Sequence, residues 1–152
     1  MPANEDDRYD LKRFAAAQRA DHAIALEEIR NGRKRSHWMW YVFPQFAGLG
    51  YSPTARHYAI ESLDEARAYL AHPVLGPRLT ACFEALLLLQ GRSAFEVFGS
   101  PDDLKLRSCA TLFAQIAPAG SVFERVLDKY FRGEPDARTL ALLASASASA
   151  GK

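Results

Sequence analysis

Helix-start signals recur along this chain at short intervals. A capping box, a serine followed three residues later by a glutamate, begins at Ser62, at Ser93 and at Ser121. In such a box the serine side chain accepts a hydrogen bond from the third helical amide, and the glutamate turns back to the serine amide. No stretch shows the sustained alternation of apolar and polar residues that is typical of a half-buried strand. The sequence therefore predicts an all-α protein of about eight or nine short-to-medium helices.

The remaining helix boundaries come from prolines, glycines and short polar side chains. Asp10 and Asp21 are predicted to cap the first two stretches, which read either as two helices or as one. Pro44 ends the third stretch, because proline disfavours helical geometry at the residue before it. The predicted helical stretches are 11–19, 22–31, 36–43, 53–60, 63–71, 77–90, 94–98, 102–117, 122–132 and 136–144.

Length and composition predict one domain. A chain of 152 residues with 49% hydrophobic side chains can bury a single core. We expect a flexible acidic N-terminus over residues 1–9, a single helical domain over 10–144 and a disordered Ser/Ala tail over 145–152. The net charge is only +1, so no general field attracts the chain to nucleic acid or to a membrane.

The positions of the cysteines and histidines indicate the cellular compartment and whether a metal site is expected. Cys82 and Cys109 lie in apolar helical patterns, which predicts free, buried thiols of a cytoplasmic protein. The N-terminus lacks the apolar core of a signal peptide, and the longest aliphatic run, 85–89, is too short to span a bilayer. The four histidines are too widely spaced for a zinc motif, so we expect no metal and no cofactor.

Both tryptophans of the chain lie in one aromatic block. Every residue from 38 to 43 is large and apolar or aromatic, so this block must be enclosed by other elements and is predicted to form a central helix. His37 precedes the block and Gln45 follows it. These residues suit either a plain core helix with His37 hydrogen-bonded at its edge, or a cavity that His37, Trp40 and Gln45 also face.

A basic run, Arg33, Lys34 and Arg35, leads into the aromatic block. Cations at this position are attracted to the exposed carbonyls at the C-terminal end of the preceding helix. They would equally form an anion clamp beside the block. Nucleic-acid binding is disfavoured, because one short patch on a nearly neutral chain releases few counterions.

Polar side chains form a stripe along one side of the predicted helix 102–117. Ser108, Thr111 and Gln115 are spaced by three and four residues, with Lys105 on the adjoining row, so they share one side of the helix. Hydroxyls beside an amine could hold a phosphate or a sugar. The alternative is that the hydroxyls bond the carbonyls of the preceding turn.

Two adjacent acids begin this same helix. Asp102 and Asp103 do not face each other on a helix, so they make a poor acid–base couple. Compensation of the helix dipole is the better interpretation. Asp103 and Arg107 are spaced for a surface ion pair.

The function these features favour is the binding of an anionic small molecule, such as a nucleotide or a phosphorylated sugar. Hydrolysis of an N-glycosidic or phosphoester bond would suit the same groups, with His37 as the acid–base candidate because its ordinary pKa lies near neutrality. The alternative is a non-enzymatic protein-interaction module whose motif residues are purely structural. The predicted ligand-binding residues are Arg33, Lys34, Arg35, Trp38, Trp40, Gln45, Lys105, Ser108 and Thr111.

Three long motifs resemble those of a bacterial family known as domain of unknown function 1810. They are residues 32–34 with 37–40 and 43–45, residues 63–70 with 72–79, and residues 102–108 with 111–113. The resemblance covers about residues 10–142. It implies an all-helical, single-domain fold and no established activity. Some members carry an automatic "calpastatin" label, but a calpain inhibitor of that kind would be a largely disordered chain, whereas this composition supports a full core.

Overall fold

Nine helices occur in the part of the chain that the structure, a computed structural model, describes: residues 7–150, with side chains to residue 146. Within that range there is no strand, only an isolated bridge between Phe46 and Ile60. The all-α prediction is therefore confirmed. The helices are α1 (Lys12–Arg30), α2 (Met39–Val42), α3 (Pro53–His57), α4 (Leu63–Ala71), α5 (Leu75–Leu88), α6 (Ala94–Phe98), α7 (Asp102–Ala114), α8 (Val122–Phe131) and α9 (Ala137–Ala150).

The first helix is one continuous element rather than two. Asp21 lies in its interior and accepts a hydrogen bond from the hydroxyl of Tyr41 instead of capping a new helix. Asp10 does not cap the helix either, since its backbone is left-handed with φ 52°. The carboxylate of Asp7 accepts the amide of Leu11 at 2.6 Å, so the capping acid stands three residues before the predicted one.

The aromatic helix is shorter than predicted. Only Met39–Val42 is α-helical, whereas helix was expected over 36–43. The amides of Arg35 and Ser36 donate to the carboxylate of Glu28 at 2.8 and 3.0 Å, so they are held in an irregular connection. A side chain on α1 therefore decides where α2 can begin.

The serine caps are confirmed, although most of the boxes are incomplete. The hydroxyls of Ser52, Ser62, Ser93 and Ser121 each accept the amide three residues on. The reciprocal bond from glutamate back to serine forms only at Ser93. The other two glutamates reach one residue further and accept the amides of Glu61 and Gly120.

The last helix runs further than predicted. α9 continues to Ala150, while the sequence placed its end near residue 144. Alanine is the strongest helix former, so the alternating Ser/Ala stretch extends the helix. Of the predicted tail, residues 145–150 are thus helical and 151–152 lie outside the described residues. Of the predicted N-terminal segment, residues 1–6 also lie outside them.

One aromatic-rich core joins the helices. α5 packs against α1, α4 and α8, and α7 packs against α6, α8 and α9. Trp38 and Phe43 of the aromatic block are fully buried, as the sequence predicted. The Phe43 ring lies 5.5 Å from that of Phe83, which lies 4.8 Å from that of Phe123. This packing fixes the aromatic block against α5 and, through Phe83, against α8. Across residues 7–150, no helix has the length and apolar character needed to cross a membrane.

Candidate functional site

The basic run is organised around the carboxylate of Glu28, near the end of α1. It accepts the amides of Arg35 and Ser36 at 2.8 and 3.0 Å. It also accepts the Ser36 hydroxyl at 2.7 Å and the indole N–H of Trp38 at 2.9 Å. The buried indole therefore has its partner, and one carboxylate holds three residues of the connection from α1 to α2.

These contacts keep Glu28 ionised. Burial acts to raise the pKa of Glu28, but the hydrogen bonds from Arg35, Ser36 and Trp38 outweigh it and lower the pKa to about 2. A carboxylate in the last turns of a helix is disfavoured by the helix dipole. Its position there is compensated by the four donors that converge on it.

A second carboxylate stands between two lysines. Asp102 accepts the ammonium of Lys34 at 3.0 Å on one oxygen and that of Lys105 at 2.9 Å on the other. The side chains of Lys34, Asp102 and Lys105 are 9%, 18% and 20% exposed. We call these three residues the Lys–Asp–Lys cluster. Its formal charge is positive, since two ammonium groups share one carboxylate.

The lysines hold Asp102 in its charged form. Burial acts to raise the pKa of Asp102, but the hydrogen bonds from Lys105 and Lys34, and their positive charges, hold it below the usual value. The backbone reinforces this arrangement, because the amide of Lys34 donates to the carbonyl of Val97 at 2.7 Å. The basic run is thereby tied to both α6 and α7.

Each lysine of the cluster also lies over a tryptophan ring. The ammonium of Lys34 is 5.1 Å from the ring centroid of Trp38, and that of Lys105 is 4.2 Å from the ring centroid of Trp40. Cations at these distances are attracted by the ring quadrupole. Trp38 is fully buried and so cannot stack a ligand in this conformation, whereas Trp40 keeps part of its surface exposed.

The other charged residues predicted for the site lie at its rim. Arg33, Arg35 and His37 are exposed. The carbonyl of His37 accepts the Tyr41 hydroxyl at 3.1 Å, but the described contacts do not link its imidazole to the Lys–Asp–Lys cluster. Within residues 7–150, no group of three or more His, Cys, Asp or Glu side chains is placed to hold a metal ion.

Gln45 and Trp40 line the same small hollow. The Gln45 side chain is 6% exposed, and its amide nitrogen has no hydrogen-bond partner in the described part of the chain. The hollow has a volume of about 10 Å³, and Tyr58 and Gly50 also line it. That space suffices for about one water molecule, so the cavity predicted beside the block is too small here for a ligand.

Ser108 and Thr111 of the polar stripe are buried, whereas Gln115 follows the end of α7 and is exposed. The hydroxyls of Ser108 and Thr111 donate to the carbonyls of Leu104 and Arg107 at 3.1 and 2.8 Å. Thr111 is fully buried and also accepts the amide of Asp136 at 2.8 Å, which ties α7 to the start of α9. The structure thus places Lys105 in the cluster but does not bring these two hydroxyls to it.

Sequence reasoning missed two acidic residues. Asp102 was assigned to the helix dipole, and no local signal points to Lys34 as its partner. Glu28 carried a usable signal, because an acid near a helix C-terminus needs compensating donors. The predicted pair of Asp103 and Arg107 is wrong, since the Arg107 guanidinium donates to the carbonyl of Glu134 at 2.9 Å and pairs with its carboxylate at 3.4 Å.

Comparison with known proteins places the chain in a family. The profile described as "Protein of unknown function (DUF1810)" matches residues 8–143. The chain is similar to a crystal structure of the conserved hypothetical protein Rv1873 from Mycobacterium tuberculosis, with 56% identity and a TM-score of 0.87 over 89% of this chain and 96% of that one. No curated protein matches. The resemblance seen in the three motifs is confirmed: this chain belongs to the DUF1810 family.

Proposed function

We propose that this domain binds an anionic small molecule, such as a nucleotide or a phosphorylated sugar, at the Lys–Asp–Lys cluster beside Trp40. One observation carries the proposal: the ammonium groups of Lys34 and Lys105 converge on the single carboxylate of Asp102. An ammonium has three N–H donors, so both lysines keep donors for a further acceptor. An added oxyanion would also balance the excess positive charge.

The neighbouring residues have distinct roles in this proposal. The exposed Arg33 and Arg35 would raise the local concentration of anions. A ligand oxyanion that draws Lys105 away from the Trp40 ring would leave that face free to stack a base or sugar. His37 remains the acid–base candidate for hydrolysis, which would require its exposed imidazole to swing over the bound ligand. Trp38, Ser108 and Thr111 would support the site from the core side.

A cytoplasmic location also belongs to the proposal. Cys82 and Cys109 are free and buried. Burial raises the pKa of the Cys82 thiol to about 12, so this thiol is inert towards disulfide exchange. Two free thiols suit a reducing compartment.

Thermal unfolding against a panel of nucleotides and sugar phosphates, at fixed ionic strength, tests the proposal. A ligand at 100 times its dissociation constant adds about 2.7 kcal/mol to the free energy of unfolding. We expect Lys105→Met to abolish the stabilisation and Lys12→Met to retain it, because the Lys12 side chain is 73% exposed and lies outside the cluster. Stabilisation that persists in Lys105→Met would place the ligand elsewhere.

A protein-interaction module is the second candidate. Two large apolar side chains on the helices that hold the cluster, Phe95 on α6 and Leu104 on α7, are 61% and 53% exposed. Glu28 and Trp38 meanwhile satisfy each other inside the protein. A panel that gives no stabilisation, together with a purified partner whose binding is lost in Phe95→Ser, would favour this candidate.

A further inference from the structure

Arg78 on α5 is a cation without a counter-ion. It is partly buried, and its guanidinium forms no salt bridge with any carboxylate of residues 7–146. Its one hydrogen bond runs from Nη1 to the Gln18 side-chain oxygen at 3.5 Å, the outer limit for such a bond. Most of its five N–H donors therefore lack a protein acceptor.

Gln18 cannot turn to serve Arg78 better. It is 2% exposed, and its amide nitrogen donates to the Tyr41 carbonyl at 2.6 Å and to the Tyr69 hydroxyl at 2.9 Å. Both amide hydrogens are thus engaged with the core. The Gln18 oxygen stays directed at Arg78 and supplies a dipole there, but no negative charge.

His22 lies beside this cation. It follows Gln18 by one helical turn, so both project from the same side of α1, which packs against α5. Its imidazole has no hydrogen-bond partner among the residues whose side chains are described. Burial, and then the positive charge of Arg78, lower the pKa of His22, so the ring is neutral at physiological pH.

The acid next to His22 in the sequence does not neutralise Arg78. Asp21 precedes His22, but its carboxylate accepts the hydroxyl of Tyr41 and forms no salt bridge with Arg78. An uncompensated, partly buried guanidinium beside a neutral imidazole is an arrangement that an anion would complete.

We propose that Arg78 and His22 form a second anion site, which takes the carboxylate or phosphate group of a ligand. The planar guanidinium fork matches two oxygens of either group, and the imidazole N–H of His22 would donate to the same group. This site is built from α1 and α5, whereas the Lys–Asp–Lys cluster is built from the basic run and α7. It does not depend on the proposed function of that cluster.

Proton NMR of the His22 imidazole, titrated with inorganic phosphate and separately with acetate at constant ionic strength, tests the site. We expect a saturable shift of the His22 signal in at least one titration, and the anion that saturates identifies the class of ligand group. Arg78→Met should lose this response. The matched control Arg67→Met should keep it, since Arg67 is 57% exposed and pairs with Asp64 at the surface.

Two further variants keep the test decisive. Arg78→Lys retains the charge without the planar fork, so we expect it to bind the anion about tenfold more weakly. This variant also tests the site if Arg78→Met does not fold. Lys105→Met should leave the His22 response intact, which separates this site from the cluster. A shift that does not saturate, that persists in Arg78→Met, or that is unchanged in Arg78→Lys would overturn the proposal.

Discussion

The carboxylate of Glu28 accepts the indole N–H of Trp38 at 2.9 Å, which joins the end of α1 to the aromatic block. Glu28→Ala would leave the buried indole and two backbone amides without this acceptor. Loss of a buried partner costs about 1–3 kcal/mol per group, so we expect the free energy of unfolding to fall by about 3 kcal/mol. Urea denaturation measures the change.

The exposed neighbour Glu27 provides the control for this loss. Glu27→Ala should change the free energy of unfolding by less than about 0.5 kcal/mol, as is usual for surface substitutions. Equal losses in the two variants would show that Trp38 does not depend on Glu28.

Glu28 should also make the stability depend on acid pH. Its folded pKa, about 2, lies below the ordinary value of 4.5, so its contribution is complete above pH 4.5 and is lost as pH falls towards 2. The side chain of Glu28→Gln has no carboxylate that could be protonated over this range. We therefore expect the stability of the native protein to fall more steeply than that of Glu28→Gln over this range, measured by urea denaturation at successive pH values. Parallel curves would contradict the assignment.

Asp102→Asn should destabilise the protein and strengthen anion binding at once. Lys34 and Lys105 lose their shared counter-ion, and both are largely buried, so we expect a loss of about 2 kcal/mol at low salt. Because the two ammonium groups are then free, inorganic phosphate should restore more stability than chloride at equal ionic strength. Thermal unfolding in the two salts measures this difference.

Asp103→Asn serves as the matched control, since Asp103 belongs to the same turn but bonds only the amide of Leu104. It should show neither the loss nor a specific recovery in phosphate. If phosphate and chloride act equally on Asp102→Asn, the cluster is purely structural.

Gly50 keeps the loop after the aromatic block closed against Trp40. A Cβ at this position would lie 2.7 Å from the Ala55 Cβ and 2.9 Å from a Trp40 ring carbon. Gly50→Ala should therefore cost about 1–3 kcal/mol and alter the fluorescence of Trp40. Ala55→Gly removes the nearer contact, so the double variant should recover part of the loss relative to the two single variants. Full additivity would show that the contact is relieved in another way.

Local sequence signals predicted most of the helices. The caps at Ser52 and Ser93 were predictable because the serine and its amide partner are three residues apart. The sequence left open whether the first two stretches form one helix, and it did not predict the start of α2, because Glu28 holds the amides of Arg35 and Ser36 outside the helix. Tertiary contacts of this kind override propensity.

The candidate site could be predicted from the sequence only in part, for a related reason. Lys34 and Lys105 were identified as cations, but their meeting at Asp102 joins segments far apart in sequence. Helical spacing placed Ser108 and Thr111 on one side of α7 without indicating whether that side faces solvent or core. Their bonds to the preceding carbonyls follow the alternative that the sequence also allowed.

The ion pair between Lys34 and Asp102 on α7 determines how much of the chain must be present before the cluster can form. The loop that this link closes contains α2 to α6, so the entropy of closing it must be overcome before the lysines can meet. A nascent chain that has not yet emerged as far as α7, or a proteolytic fragment that ends before it, cannot assemble the cluster. An anion would therefore bind at the cluster only in chains that extend at least through α7, and it would stabilise the link between Lys34 and α7.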